Sequence, residues 1–149
     1  MPGTPKNFRA GAGLHPIGPS PVSRSSKNFG RFTETLAENC LRKKGYRILE
    51  RNVRIGKGEL DLIAKDGDTI VFVEVKGRRT DRFGGLPYAV DPRKQRQLTK
   101  LALAYLAQHG LTNRSCRFDV VLISSTDDQG PRITHLEDAF EVSSSAWQW

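Results

Sequence analysis

Residues 58–79 read GELDLIAKDGDTIVFVEVKGRR, and the reading of this stretch decides the fold. Thr69 to Val75 is as strand-forming as any run in the chain, yet it carries Glu74, and Lys76 follows one residue beyond it. The preceding apolar run, Leu60 to Ala64, carries an acid of its own, Asp61. Asp66-Gly67 between the two runs is a strong hairpin signal. Charged side chains are almost never fully buried unless they are paired or bind a metal. Two strands headed for a core therefore bring their acids for a reason.

Side chains alternate across a strand, so Glu74 and Lys76 share a face with Ile70 and Phe72, while Val71, Val73 and Val75 take the other. Whether Asp61 joins Glu74 depends on register, because a slip of one residue exchanges the faces. A two-residue loop at Asp66-Gly67 makes Glu74 the diagonal neighbour of Asp61. A four-residue loop sets Asp61 directly opposite Glu74, and a three-residue loop separates them. In the first two registers two carboxylates and an ammonium converge on one side of a hairpin. Hard divalent cations such as Mg²⁺ use one or two carboxylates together with water and substrate phosphate. The bland alternative is a solvated Asp–Lys–Glu cluster on a half-exposed hairpin.

Outward from the hairpin, Phe32, Leu36, Ala37, Cys40 and Leu41 recur at helical spacing, which predicts a helix from Gly30 to Lys44 ending at Gly45. On that helix Glu34 falls at the flank of the apolar face, where it can lean over a neighbouring sheet, and Glu38 lies further towards solvent. Tyr46 to Arg54 reads as a strand, with GKG (56–58) as the following turn. Asp91-Pro92 offers N-cap and N1 chemistry for a second helix with an apolar stripe of Leu98, Leu101, Ala102, Tyr105 and Leu106. Arg93, Lys94, Arg96 and Lys100 crowd its first turns. Cations there oppose the helix dipole, so they serve something outside the helix. Arg117 to Ser124 predicts another strand, and Arg132 to Leu136 a short edge strand. The order αβββαβ with an optional edge strand predicts an α/β protein, a mixed central sheet flanked by helices.

Composition narrows the function classes. The chain has 149 residues, enough for one domain with a core. No apolar run is long enough to span a membrane, and the N-terminus lacks the apolar segment of a signal peptide. Cys40 and Cys116 have no CxxC or His spacing, which predicts reduced thiols and a cytoplasmic setting. Residues 1–27 are rich in Pro, Gly and Ser and are predicted to be disordered. The chain thus divides into a basic tail over 1–29, a folded domain over 30–142 and a short tail over 143–149. The formal charge of +8 is uneven. Residues 76–117 hold ten basic and two acidic side chains, whereas residues 118–149 hold one basic and six acidic. A basic block beside an acid-bearing hairpin points to a polyanionic partner, nucleic acid first.

The spacing of an acid in the first helix, then Asp, thirteen residues to Glu, then x-Lys resembles the PD-(D/E)XK nuclease superfamily, including its Holliday-junction resolvases. More closely, the chain resembles the small bacterial YraN-type family of predicted nucleases. The matching segments are GRFTETLAENCLRKKGYRILERN (30–52), GELDLIAKDGDTIVFVEVKGRR (58–79), AVDPRKQRQL (89–98), CRFDVVLI (116–123) and THLEDAF (134–140). Leu60-Asp61 stands where the superfamily has Pro-Asp. The resemblance implies a restriction-endonuclease-like core over 30–142, with Glu34, Asp61, Glu74 and Lys76 in catalytic positions. Asp61, Glu74 and the Val75 carbonyl are then expected to hold Mg²⁺ or Mn²⁺, and Lys76 to position water and steady the phosphate. Arg78, Arg79, Arg93, Lys94 and Arg96 are expected to bind nucleic-acid phosphates, with DNA, branched or processed structures included, as the substrate. The resolvase-like relatives suggest a homodimer. The competing reading is a non-catalytic nucleic-acid-binding module that keeps the fold.

Overall fold

The computed structural model describes residues 21–78, 90–126 and 130–142. Helix α1 (Pro21–Lys43) leads into strands β1 (Arg47–Ile55), β2 (Gly58–Asp66) and β3 (Thr69–Arg78); helix α2 (Pro92–Gln108), β4 (Cys116–Thr126) and β5 (Gly130–Leu136) follow. The strands form one sheet in the order β1-β2-β3-β4-β5. All neighbours are antiparallel except β3 and β4. A parallel pair needs a crossover, and α2 lies in the connection that supplies it. The chain is therefore an α/β protein with a mixed five-stranded sheet and two helices, as its pattern predicts.

Each helix covers its own face of the sheet. Leu98, Leu101, Ala102, Tyr105 and Leu106 of α2 pack on Ile70, Phe72, Phe118, Val120 and Leu122. Ala37 and Leu41 of α1 pack with Leu62, Ala64, Val71, Val73, Val121 and Ile123. The alternation along β3 thus serves two cores, and Glu74 sits on the α2 side with Phe72 and Ile70. Beyond these cores, Asp119 is buried in a polar knot that ties β4 to its surroundings. His135 Nε2 lies 2.8 Å and Arg117 Nε 3.0 Å from its carboxylate, and the Asp138 N–H donates to it at 3.0 Å. Burial alone would raise its pKa, but these partners outweigh burial and hold Asp119 below the usual carboxylate range.

Several expectations shift. Helix α1 begins at Pro21 rather than Gly30, so its first turns occupy residues assigned to the tail; proline is tolerated there because the first N–H groups of a helix need no partner. The rest of the expected N-terminal tail, residues 1–20, and the C-terminal tail over 143–149 lie outside the described residues. The buried stripe of α1 runs through Thr33, Ala37 and Leu41, leaving Phe32 47% exposed. Glu38 is not turned out to solvent; it accepts from Arg42 and Arg51 at 2.9 Å each. The helix closes as predicted at Gly45, with φ +90°, through hydrogen bonds from Gly45 N to Arg42 O and from Tyr46 N to Leu41 O. In the hairpin, Asp66 pairs with Thr69, so the turn centres on Gly67-Asp68. Gly67 supplies φ +58° at the first central position, which only glycine takes freely, and the turn moves one residue along to meet it.

Candidate active site

The register of the hairpin brings the acids together. The β2–β3 ladder runs from Asp66–Thr69 to Leu62–Val73, each step back along β2 being one step forward along β3, so Asp61 and Glu74 come next. There the Asp61 side chain takes over from the backbone, its Oδ2 accepting from the Val75 N–H at 2.9 Å. Burial pushes the Asp61 pKa up to about 7, with the Glu74 carboxylate adding to the rise; the Val75 N–H opposes it, Glu34 adds to it and Lys94 opposes it. Asp61 thus feels both Glu74 and Glu34 as like charges. Glu34 reaches this point from α1, on the opposite face to α2, at the flank the helical spacing gives it.

Glu74 is 6% exposed and does not stand alone. Its Oε1 lies 3.7 Å from Lys76 Nζ and 3.5 Å from Lys94 Nζ. Lys76 is its neighbour two residues on, on the same face of β3. Lys94 comes from the first turns of α2, which packs on that face. The two lysines also line a cleft of about 290 Å³ with Val90, Asp91, Arg93 and Gln97. The Asp91 N-cap predicted from the sequence forms there, its Oδ1 accepting from Arg93 N at 2.7 Å.

One participant escaped the sequence reading. Asn52 of β1 has φ +51°, a backbone state that Asn tolerates better than most residues. Its amide nitrogen, turned to the acids, donates to Glu59 Oε1 at 3.1 Å and to Glu34 Oε1 at 3.3 Å. An Asn inside an otherwise good strand was the available signal, since Asn is depleted in strands. Lys94, expected at a flanking phosphate, stands against Glu74. Arg93 and Arg96 are exposed on α2 and Arg78 is exposed at the end of β3, whereas Arg79 lies outside the described residues.

Among the described residues, no three or more His, Cys, Asp and Glu side chains form a ready-made metal cage. The donor set is Asp61 and Glu74, with the Val75 carbonyl nearby in sequence. Two carboxylates suit a hard cation that keeps much of its shell as water and substrate oxygen. Burial first and the Glu74 carboxylate second disfavour the charge on Asp61, and a cation between the two acids would offset both. The residues present fit such an ion.

These features define an α/β protein whose central hairpin ends in a cluster of acids and lysines. The chain belongs to the family described as Uncharacterised protein family UPF0102, which it matches over residues 33–123. A UPF0102 protein of Geobacter sulfurreducens is 46% identical over 121 residues, covering 81% of this chain and 94% of that protein. One from Syntrophus aciditrophicus is 48% identical over 124 residues, with 82% and 97% covered. Among solved structures the likeness is loose. Pyrococcus furiosus SfsA, solved in complex with Ca²⁺, gives a TM-score of 0.36 at 18% identity, covering 78% of this chain and 65% of that one. SSO0001 gives 0.39 at 21% identity, with 80% and 56% covered. No helix among the described residues is long and apolar enough to cross a membrane.

Proposed function

We propose that this protein is a divalent-cation-dependent nuclease of the PD-(D/E)XK type that hydrolyses phosphodiester bonds in DNA, branched or processed structures included. The observation that carries this reading is the juxtaposition at the end of the hairpin, where Asp61 sits against the Val75 backbone and Lys76 Nζ lies 3.7 Å from the buried Glu74. Asp61, Glu74 and the Val75 carbonyl would hold Mg²⁺ or Mn²⁺, an ion that supplies charge neutralisation at phosphate and acidifies a bound water. Lys76 orients the attacking water and steadies charge that develops on the phosphate. Glu34, held by Asn52, completes the acid set beside Asp61. Arg78, Arg79, Arg93 and Arg96 hold flanking phosphates. The charge of the 76–117 block suits a polyanion, and the two free thiols suit a reducing cytoplasm. A homodimer fits a substrate with two strands to cut.

The test is cleavage of a panel of linear, flapped and four-way DNA substrates with Mg²⁺ or Mn²⁺, comparing wild type with Lys76→Ala. Cleavage by the wild type alone supports the reading. Salt-sensitive binding with no cleavage of any substrate favours the non-catalytic nucleic-acid-binding module.

A further inference from the structure

We propose that Lys94 is a second active-site ammonium, which shares Glu74 with Lys76 and holds the scissile phosphate rather than a flanking one. The inference rests on the nuclease reading and adds a residue to it. Cations in the first turn of a helix oppose the dipole, so their presence in α2 needs a partner elsewhere. For Lys94 the structure supplies one, since its Nζ lies 3.5 Å from Glu74 Oε1. Among the described residues Glu74 and Asp119 are the buried acids, and the Glu74 side chain is 7% exposed beside two lysines at 35% and 40%. Both ammoniums therefore keep one side towards Glu74 and one towards the cleft they line with Arg93 and Gln97.

Charge arithmetic gives the arrangement a purpose. Glu34, Asp61 and Glu74, when ionised, oppose Lys76 and Lys94 and leave one net negative charge. A divalent cation turns that to one positive charge, and a phosphodiester brings the loaded site to neutrality. Without Lys94 the same site would meet its anionic substrate already neutral, and the extra charge of the transition state would be uncompensated by this residue. Lys94 also lies against a carboxylate the cation would use. The ammonium is therefore a competitor of the cation while DNA is absent and a partner of the phosphate once DNA is present. Arg93 and Arg96, exposed on the same helix, have no such contact with Glu74.

The experiment compares wild type, Lys94→Met and Lys94→Arg in two readouts. In the first, Mn²⁺ is titrated calorimetrically into each protein without DNA. Lys94→Met is expected to bind Mn²⁺ several-fold more tightly, and Lys94→Arg to stay near wild type because the charge remains. In the second, single-turnover cleavage is followed at saturating DNA, where Lys94→Met is expected to be at least tenfold slower with little change in DNA affinity, and Lys94→Arg to recover part of the rate. Unchanged Mn²⁺ affinity in Lys94→Met overturns the inference, as does a loss confined to DNA affinity. If the wild type cuts no substrate, the nuclease reading fails, and the Mn²⁺ titration still decides whether Lys94 shares the acid site. Lys94→Arg guards against a Lys94→Met protein that fails to fold.

Discussion

Gly77 and Thr33 are packed so closely that a Cβ on Gly77 would lie 2.5 Å from Thr33 Cγ2. No real Cβ contact is that short, so the missing side chain sets how near α1 can come to the end of β3. Thr33 is buried and precedes Glu34, so this contact seats the turn of α1 that carries Glu34 against the end of β3. The glycine after Lys76 is thus part of the site's construction.

Gly77→Ala is expected to force α1 away from β3 and to destabilise the fold by about 1–3 kcal/mol, the usual cost of overpacking. Thr33→Ser removes the offending methyl and keeps the hydroxyl that donates to Gly30 O at 2.9 Å. The double variant should recover much of the loss, although Thr33 Cβ at 3.2 Å and the Phe29 ring at 3.1 Å stay close. Urea unfolding of the four proteins as a double-mutant cycle checks this. Additive losses would show that the two positions do not meet.

The raised Asp61 pKa, about 7, makes a signed prediction. Its unfolded value is near 3.9, so the folded state holds the proton more tightly. Below pH of about 4 both states are protonated and the group contributes nothing. As pH rises towards 7 the unfolded chain releases the proton first and stability falls, and above 7 the full cost persists, on the order of a few kcal/mol. Asp61→Asn removes that titration while keeping an acceptor for the Val75 N–H. The variant should therefore gain in Tm over wild type as pH goes from 5 to 8, in the absence of divalent ions. A Tm difference that is flat across this range would contradict the raised Asp61 pKa.

Much of this fold was legible because the deciding signals are local. The β2–β3 hairpin follows from two apolar runs around Asp66-Gly67, and the α2 start from Asp91-Pro92. The acids' shared location follows from the even spacing that two of the three registers preserve. What was illegible depends on contacts between distant segments. Lys94 meets Glu74 only because α2 crosses the face of β3, which no spacing within 92–108 reveals. Phe32 fits the apolar spacing of α1, yet the stripe that meets the sheet is fixed by Gly77, which admits Thr33. The early start of α1 was hidden by Pro and Ser composition, which tracks disorder without prohibiting a helix.

The exposed arginines of α2 should govern affinity, not chemistry. Replacing Arg93 and Arg96 together by Gln is expected to weaken DNA binding evenly across sequences, since phosphate contacts carry no base information. If each contributes one phosphate contact, the slope of log affinity against log salt should fall by about 2. Fluorescence anisotropy over a salt series measures it. An unchanged slope would place the DNA on another surface.

Lys76 and Asp61 should fail in different ways. Lys76 Nζ is 3.7 Å from Glu74 and its side chain is 40% exposed, so the ammonium can turn to water or phosphate without unmaking the acid pair. Lys76→Ala is expected to cost about 10²–10³ in cleavage rate, the typical loss of one preorganised electrostatic contact, and to leave DNA binding largely intact. Mn²⁺ affinity should hold or rise, because a competing cation has gone. Asp61 is a proposed ligand, and Mg²⁺ relies on few anionic contacts because water fills most of its shell. Asp61→Asn keeps the shape and the Val75 hydrogen bond while removing the charge, so it should lose Mn²⁺ binding and cleavage together. Calorimetric Mn²⁺ titration beside a cleavage time course separates the two variants. Wild-type cleavage by Asp61→Asn would remove Asp61 from the metal site, and loss of Mn²⁺ binding in Lys76→Ala would mean that the ammonium organises the acids rather than acting on the phosphate.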